Sequence, residues 1–142
     1  MKRYWKVPPK LYATLDAEFH FDFDPCPYPK LENWDGLNQD WGSCNFVNPP
    51  FKIDDGGPIG KWVLKSIEEW KKGKTVVLLV TSDTSTKWFA KLRELELSGD
   101  AELRFVQGRI RFLEVEDGTP GPNPMMGALI AILKAKQVTN HG

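Results

Sequence analysis

Apolar residues in this chain recur in short blocks, and the spacing within the blocks switches between a helical period and a strand period. Leu11, Leu15 and Phe19 fall on one helical face behind Pro8 and Pro9, which suit a first turn, so residues 8–19 are predicted as a helix. Phe21 and Phe23 alternate with Asp22 and Asp24 and predict a strand that Pro25 and Pro27 end. Residues 25–43 have no period and are rich in Pro, Asn, Asp and Gly; a loop this long in a small domain is usually functional or mobile. Cys44–Val47 reads as a short buried strand, and Lys52–Pro58 as a Gly/Asp loop. Val63, Ile67 and Trp70 predict a helix from Ile59 that closes at Gly73. Thr75–Val80 is a continuous β-branched and leucine run, which predicts a strand buried on both faces. Polar Thr81–Thr86 leads into a helix from about Lys87 to Leu97. Ala101–Leu113 alternates around Gln107-Gly108 and predicts two strands or one bent hairpin. Asp117–Pro124, with three prolines and two glycines, reads as a loop, Met126–Leu133 as a last apolar strand, and the tail from Lys134 as a fraying end.

Strands alternating with helices point to an α/β fold. The expectation is a mostly parallel sheet with an antiparallel strand near the C-terminus and helices on both faces. At 142 residues, 41% of them hydrophobic, the chain is expected to form a single domain over 1–142. Lys+Arg and Asp+Glu both number 19, so the formal net charge is +0, and any phosphate-binding surface must be a local patch. Cys26 and Cys44 lack zinc-ligand spacing, only His20 and His141 accompany them, and a disulfide is not expected. The N-terminus has no apolar core of a signal peptide, and no apolar run nears the ~20 residues of a membrane span, so a cytoplasmic location is expected.

The densest chemistry lies in Asn48-Pro49-Pro50-Phe51. Two prolines cannot continue a ladder, so the strand before them must stop. The chain then presents an amide, a stiff backbone carbonyl and an aromatic ring at a strand's C-terminal edge, where open α/β sheets bind ligands. Amide and carbonyl oxygens accept hydrogen bonds from an exocyclic amine, and a ring stacks on the base that carries it. These parts suit methylation of a planar nitrogen. The ordinary alternative is a rigid turn with an Asn cap.

Several segments, taken in order, resemble one family. Trp5 and Pro8 precede the first helix; Phe23-Asp24-Pro25-Cys26, Asp35-Gly36-Leu37, Asp40-Trp41 and Asn48-Pro49-Pro50-Phe51 follow. Ile59-Gly60-Lys61-Trp62, Thr86-Lys87-Trp88-Phe89 and Gly108-Arg109-Ile110-Arg111-Phe112 complete the series. Together they resemble the phage-type, Dam-like DNA N6-adenine methyltransferases. The resemblance implies a minimal Rossmann-like fold, S-adenosylmethionine as methyl donor, DNA as partner and N6 of adenine as acceptor, in a bacterial or phage-infected cell. The glycine-rich turn of methyltransferases reads here Asp24-Pro25-Cys26-Pro27-Tyr28-Pro29, without glycine, and Asn48 stands where Asp is common.

On that resemblance Asn48 and Pro49 activate the amine, Pro50 fixes the turn and Phe51 stacks on a flipped base. Asp24, Pro25, Cys26, Asp35, Asp40 and Trp41 form the cofactor half, with Trp34 or Trp41 covering the cofactor. Lys61, Lys87, Trp88, Arg109 and Arg111 face the nucleic acid, and Arg104 with Lys65, Lys71, Lys72 and Lys74 extends the candidate basic surface. For each, the structural alternative is a solvated charge, a helix cap or a core ring. Thr81-Ser82-Asp83-Thr84 lines the base pocket or caps the next helix, the second being favoured. No metal is required. Without a separate target-recognition domain, sequence preference is expected to be short or loose, or to need a homodimer. Two other functions stay open: methylation of another planar nitrogen (cytosine N4, RNA or a protein amide), and an inactive nucleic-acid or cofactor-binding module.

Overall fold

A computed structural model describes residues 5–27, 32–49, 59–114 and 120–136, with the backbone alone for 5–6, 109–114 and 120–126. Its strands are β1 (Trp5–Lys6), β2 (Cys44–Val47), β3 (Thr75–Thr81), β4 (Ala101–Glu114) and β5 (Pro120–Leu133). Its α-helices are α1 (Pro9–Phe19), α2 (Ile59–Lys71) and α3 (Lys87–Leu97). The five strands form one sheet in the order β1-β4-β5-β3-β2.

The sheet is mixed, which corrects the expectation of mostly parallel strands. β2 and β3 run parallel, whereas β3–β5, β5–β4 and β4–β1 are antiparallel. The expectation also failed at β4 and β5. Gln107-Gly108 is not a hairpin turn but an irregularity inside one long strand, between Phe105 and Arg109, where Gly108 adopts φ +77°. The partner of β4 is β5, and β5 begins at Pro120, within the segment expected to be a loop. Its prolines are tolerated because the last rung to β3 is Thr81–Ala128; the proline-bearing start of β5 lies beyond it and needs no donors toward β3.

Both faces carry helices. Val7, with α1 through Leu11, Tyr12, Leu15 and Phe19, covers Phe46, Val77, Leu79, Ala128, Ile130 and Ile132. On the other face α2 and α3 bring Trp62, Val63, Trp70 and Leu92 onto Val47, Val76, Leu78, Val80, Leu129 and Leu133. The central strand β3 alternates between the two clusters, and Val76–Val80 are buried throughout, as the unbroken apolar run predicts. The segment Phe21–Asp24 forms one parallel bridge rather than a full strand. Phe23 pairs with Asn45, supported by Asp22 N–H to Cys44 O (2.9 Å) and Phe46 N–H to Phe23 O (3.1 Å). The first segment therefore lies beside β2 and runs in its direction.

α2 ends as expected, with Gly73 at φ +100° donating to Trp70 O at 2.9 Å. Cys26 and Cys44 are not joined in a disulfide. The first residues after β5 are tied down: Lys134 O accepts from Trp70 Nε1 (2.7 Å), and Ala135 N–H donates to Thr75 Oγ1 (3.0 Å); the rest of the tail expected to fray lies outside the described residues. Among the described residues no helix is long and apolar enough to cross a membrane.

Candidate active site at the carboxyl edge

Parallel pairing decides what meets at this edge. Because Phe23 pairs with Asn45, Asp24–Cys26 and Asn48-Pro49 leave neighbouring segments at the same end of the sheet. β3 ends there too, and Ser82 N–H donates to Gly127 O at 3.1 Å. Pro50 and Phe51 lie outside the described residues.

Two asparagines near β2 have different fates. Asn45 is wholly buried and spent on the backbone: its Oδ1 accepts from Gly42 N–H (2.9 Å), and its Nδ2 donates to Gly42 O (2.9 Å) and Thr75 O (3.1 Å). Asn48, one residue past the strand, is 2% exposed, and Pro49 is buried as well. The Asn48 amide is therefore closed to solvent in this conformation.

Asp24 combines two properties that rarely coincide. Water reaches it, yet desolvation by surrounding protein pushes its carboxyl up to about 6, against the opposing hydrogen bond from Cys26 N–H (2.9 Å). A carboxylate so placed is held at a cost that a cationic ligand would offset, which fits the ammonium and sulfonium of a methyl donor.

The remaining residues predicted for the cofactor half are placed as follows. Asp35 caps a 3₁₀ turn at Gly36–Asn38, accepting from Leu37 N–H (3.0 Å) and Asn38 Nδ2 (2.7 Å). Asp40 is exposed and 3.5 Å from Lys72 Nζ. Trp41 is buried in the core, stacked on Trp62 with centroids 6.4 Å apart, and donates from Nε1 to Gly36 O (2.8 Å). Trp34 is half-buried against Phe23 and donates from Nε1 to Pro25 O (2.8 Å).

Of the nucleic-acid residues, Lys61 and Lys87 are exposed in the first turns of α2 and α3. These helices follow β2 and β3, so both N-termini point to the carboxyl edge, and Gly60 packs on Trp88 there. Trp88 itself is half-buried against the core. Thr86, not the 81–84 segment, caps α3, accepting from Phe89 N–H at 3.2 Å, while Asp83 closes a turn on Ser85. α1 also points its N-terminus to this edge, because its C-terminal Phe19 meets Cys44 at the start of β2. None of the three first turns holds an acid, and each holds a lysine: Lys10, Lys61 and Lys87. A cation at a helix N-terminus opposes the helix dipole, costing roughly 0.3–1 kcal/mol. Three helix N-termini and three lysines thus favour anions along one rim. Sequence reasoning overlooked Lys10, whose signal was its place just after Pro8-Pro9.

Arg104, Lys72 and Lys74 are engaged elsewhere. Arg104 forms a two-pronged pair with Glu18 (both 2.6 Å) and also meets Glu102. Lys72 and Lys74 hold Glu69 at the opposite edge, at 2.7 and 2.9 Å. Arg109 and Arg111 lie on β4 opposite Gly127 and Met125, in the part of the β4–β5 ribbon that runs beyond β3. A cavity of about 330 Å³ lined by Trp70, Lys71, Gly73, Leu95, Asp100 and Lys136 opens at the far edge, away from Asn48. No cluster among the described residues is suited to a metal ion.

Comparison with protein families matches residues 1–140 to the family described as DNA N-6-adenine-methyltransferase (Dam). The chain belongs to the Dam family. Its activity is accordingly methylation of adenine N6 in DNA, and a methyltransferase of this kind takes its methyl group from S-adenosylmethionine. No curated protein and no solved structure matches the chain. For this Dam-family enzyme, an anion-favouring rim and a wetted, crowded carboxyl fall on the edge where its Asn-Pro-Pro-Phe segment begins.

Proposed function

We propose that this chain is a single-domain, site-specific adenine methyltransferase with a Rossmann-like sheet, its donor turn at Asp24-Pro25-Cys26 and its base pocket at Asn48-Pro49-Pro50-Phe51. The observation that carries the reading is the parallel contact of Phe23 with Asn45, which sets the two turns side by side at one strand edge.

Adenine N6 is a poor nucleophile because its lone pair is delocalised into the ring. The Asn48 side-chain oxygen and the Pro49 carbonyl accept hydrogen bonds from the two N6 hydrogens and favour a more pyramidal nitrogen. Both acceptors are neutral dipoles, so they stabilise developing positive charge without an ion's desolvation cost. When bound, the donor would supply an electrophilic methyl on cationic sulfur; N6 would take that methyl as the S–C electron pair stays on sulfur, and the surplus N6 proton would pass to water. Asp24 holds positive charge on the donor side, and Phe51 stacks on the flipped base. Alignment of the two turns then provides most of the acceleration. Because Asn48 is 2% exposed, base entry is coupled to opening of the rim. Lys10, Lys61, Lys87 and the ribbon carrying Arg109 and Arg111 hold DNA phosphates, and recognition is short unless two copies pair.

The test is methyl transfer from labelled donor to a duplex containing adenine. Asn48→Ala is expected to lower kcat by about 10²-fold or more, as loss of an aligned dipole does, while calorimetry still detects S-adenosylhomocysteine. Asn48→Asp, which keeps the acceptor geometry, restores most of the rate. An Asn48→Ala enzyme that methylates at the native rate refutes the assignment.

A further inference from the structure

The turn assigned to the donor contains Pro25 and Pro27 and no glycine, so its own backbone cannot adjust to a ligand; what holds it comes from a neighbouring segment. Trp34 Nε1–H donates to Pro25 O at 2.8 Å, and its ring lies 5.9 Å from that of Phe23, on the bridged segment that leads into the turn. Two residues on, Gly36 lies close against the same carbonyl: a Cβ there would fall 1.9 Å from Pro25 O and 2.9 Å from the Trp62 ring. Gly36 is fixed in turn by Trp41, whose Nε1 donates to Gly36 O at 2.8 Å. Trp41 is fixed by its stack on Trp62 and by donation of its N–H to buried Glu69, also at 2.8 Å. The turn is braced at Pro25, between Asp24 and Cys26, whose own link is the 2.9 Å hydrogen bond from Cys26 N–H to Asp24.

We propose that Trp34 is a positioning residue for methyl-donor binding: its indole N–H sets where Pro25, and with it the Asp24 carboxylate, meets the donor. This rests on the reading of Asp24-Pro25-Cys26 as the donor turn. Trp34 is placed as a residue acting through Pro25 rather than as one touching the reacting atoms.

Trp34→Phe removes the N–H and keeps a ring against Phe23; Trp34→Tyr is a second variant lacking the same donor. Near-UV circular dichroism identifies the folded variant, and S-adenosylhomocysteine is the calorimetric probe. The expected result is a rise in its Kd of about tenfold, the equivalent of one well-formed hydrogen bond. The donor KM rises in parallel, with kcat at saturating donor and affinity for a DNA duplex changing less than about twofold. A stabilising contact with no positioning role would lower Tm and leave KM and Kd alone, and that outcome overturns the inference. If the wild-type chain binds the probe and the folded variant binds it equally well, the inference alone fails. If the wild-type chain binds no probe, the donor-turn reading and the inference fall together.

Discussion

Replacing Glu69 by Gln tests the electrostatics of the core most directly. Glu69 is 0% exposed, on α2, and its Oε1 accepts from Trp41 N–H (2.8 Å) and Lys74 Nζ (2.9 Å), while Oε2 lies 2.7 Å from Lys72 Nζ. Burial alone would push this carboxyl up. Hydrogen bonds from Lys72, Lys74 and Trp41, with the field of Lys65, more than reverse that and pull it from 4.5 down to about 2. At about 1.4 kcal/mol per factor of ten, the difference is about 3 kcal/mol of folding stability at neutral pH. Lys72 is half-exposed and screened by water, so about 2–3 kcal/mol is the working figure. A depressed carboxylate contributes fully above its unfolded value near 4.5 and loses the contribution as pH falls towards 2. Glutamine keeps the size and an acceptor for Trp41 but not the charge.

Urea titration at pH 7, 4 and 3 reads this out. The variant is expected to be about 2–3 kcal/mol less stable than wild type at pH 7, with the gap narrowed by more than half at pH 3, because wild type loses what the variant never had. A gap that stays constant from pH 7 to 3, or one below about 0.5 kcal/mol at pH 7, would show that Glu69 is held by packing and that its three lysines contribute no net stability.

Asp24→Asn is expected to act with the opposite sign. A carboxyl raised to about 6 in the folded chain destabilises it as pH climbs from about 4 through 6, so the variant melts higher than wild type at pH 8 and no higher at pH 4, while binding the donor more weakly. Thermal melts at the two pH values check this, and equal destabilisation at both would contradict it. Replacing both Lys61 and Lys87 by Ala is expected to weaken DNA binding uniformly across sequences and to flatten the log–log salt dependence by about 2, measured by fluorescence anisotropy from 50 to 200 mM salt. The same change slightly stabilises α2 and α3 by removing cations from their N-terminal turns, so a fall in Tm would argue against the helix-terminus placement.

Where the sequence was readable, the cause was local. The α1, α2 and α3 stripes, the uniformly apolar β3 and the proline stop after β2 each follow from residues within one element, and the structure has them within a residue or two of their predicted bounds. The reading failed at β4 and β5, because Gly108 fits a turn as well as a bulge, and prolines 120, 122 and 124 fit a loop as well as a strand paired on one side. Only the position of β3's end separates these cases, and that is a tertiary fact. Of the candidate-site residues, Asp24 and Asn48 were expected at strand ends, and the parallel Phe23–Asn45 bridge brings those two ends to one edge. Asp40, Arg104, Lys72 and Lys74 were not legible, because their partners lie 32, 86, 3 and 5 positions away, and neither sign nor spacing says whether a charge faces a ligand or another side chain.

The contrast between near and distant partners also bears on how the proposed donor turn, which has no glycine, can serve. A glycine turn binds by letting the backbone approach the ligand, and its flexibility must be lost on binding. Pro25 and Pro27 lose little backbone freedom because they have little, but a stiff turn binds well only if it is held in the right place. Here the place is set from outside, by Trp34 at Pro25 O and Gly36 behind it, with Trp41 and Glu69 anchoring Gly36 from 28 positions apart. Buried Glu69 is thus the last link of the brace on the proposed donor turn. Neutralising it should then both soften the core and blur the position of Asp24, so Glu69→Gln is expected to raise the donor KM at pH 7 even where the protein remains fully folded.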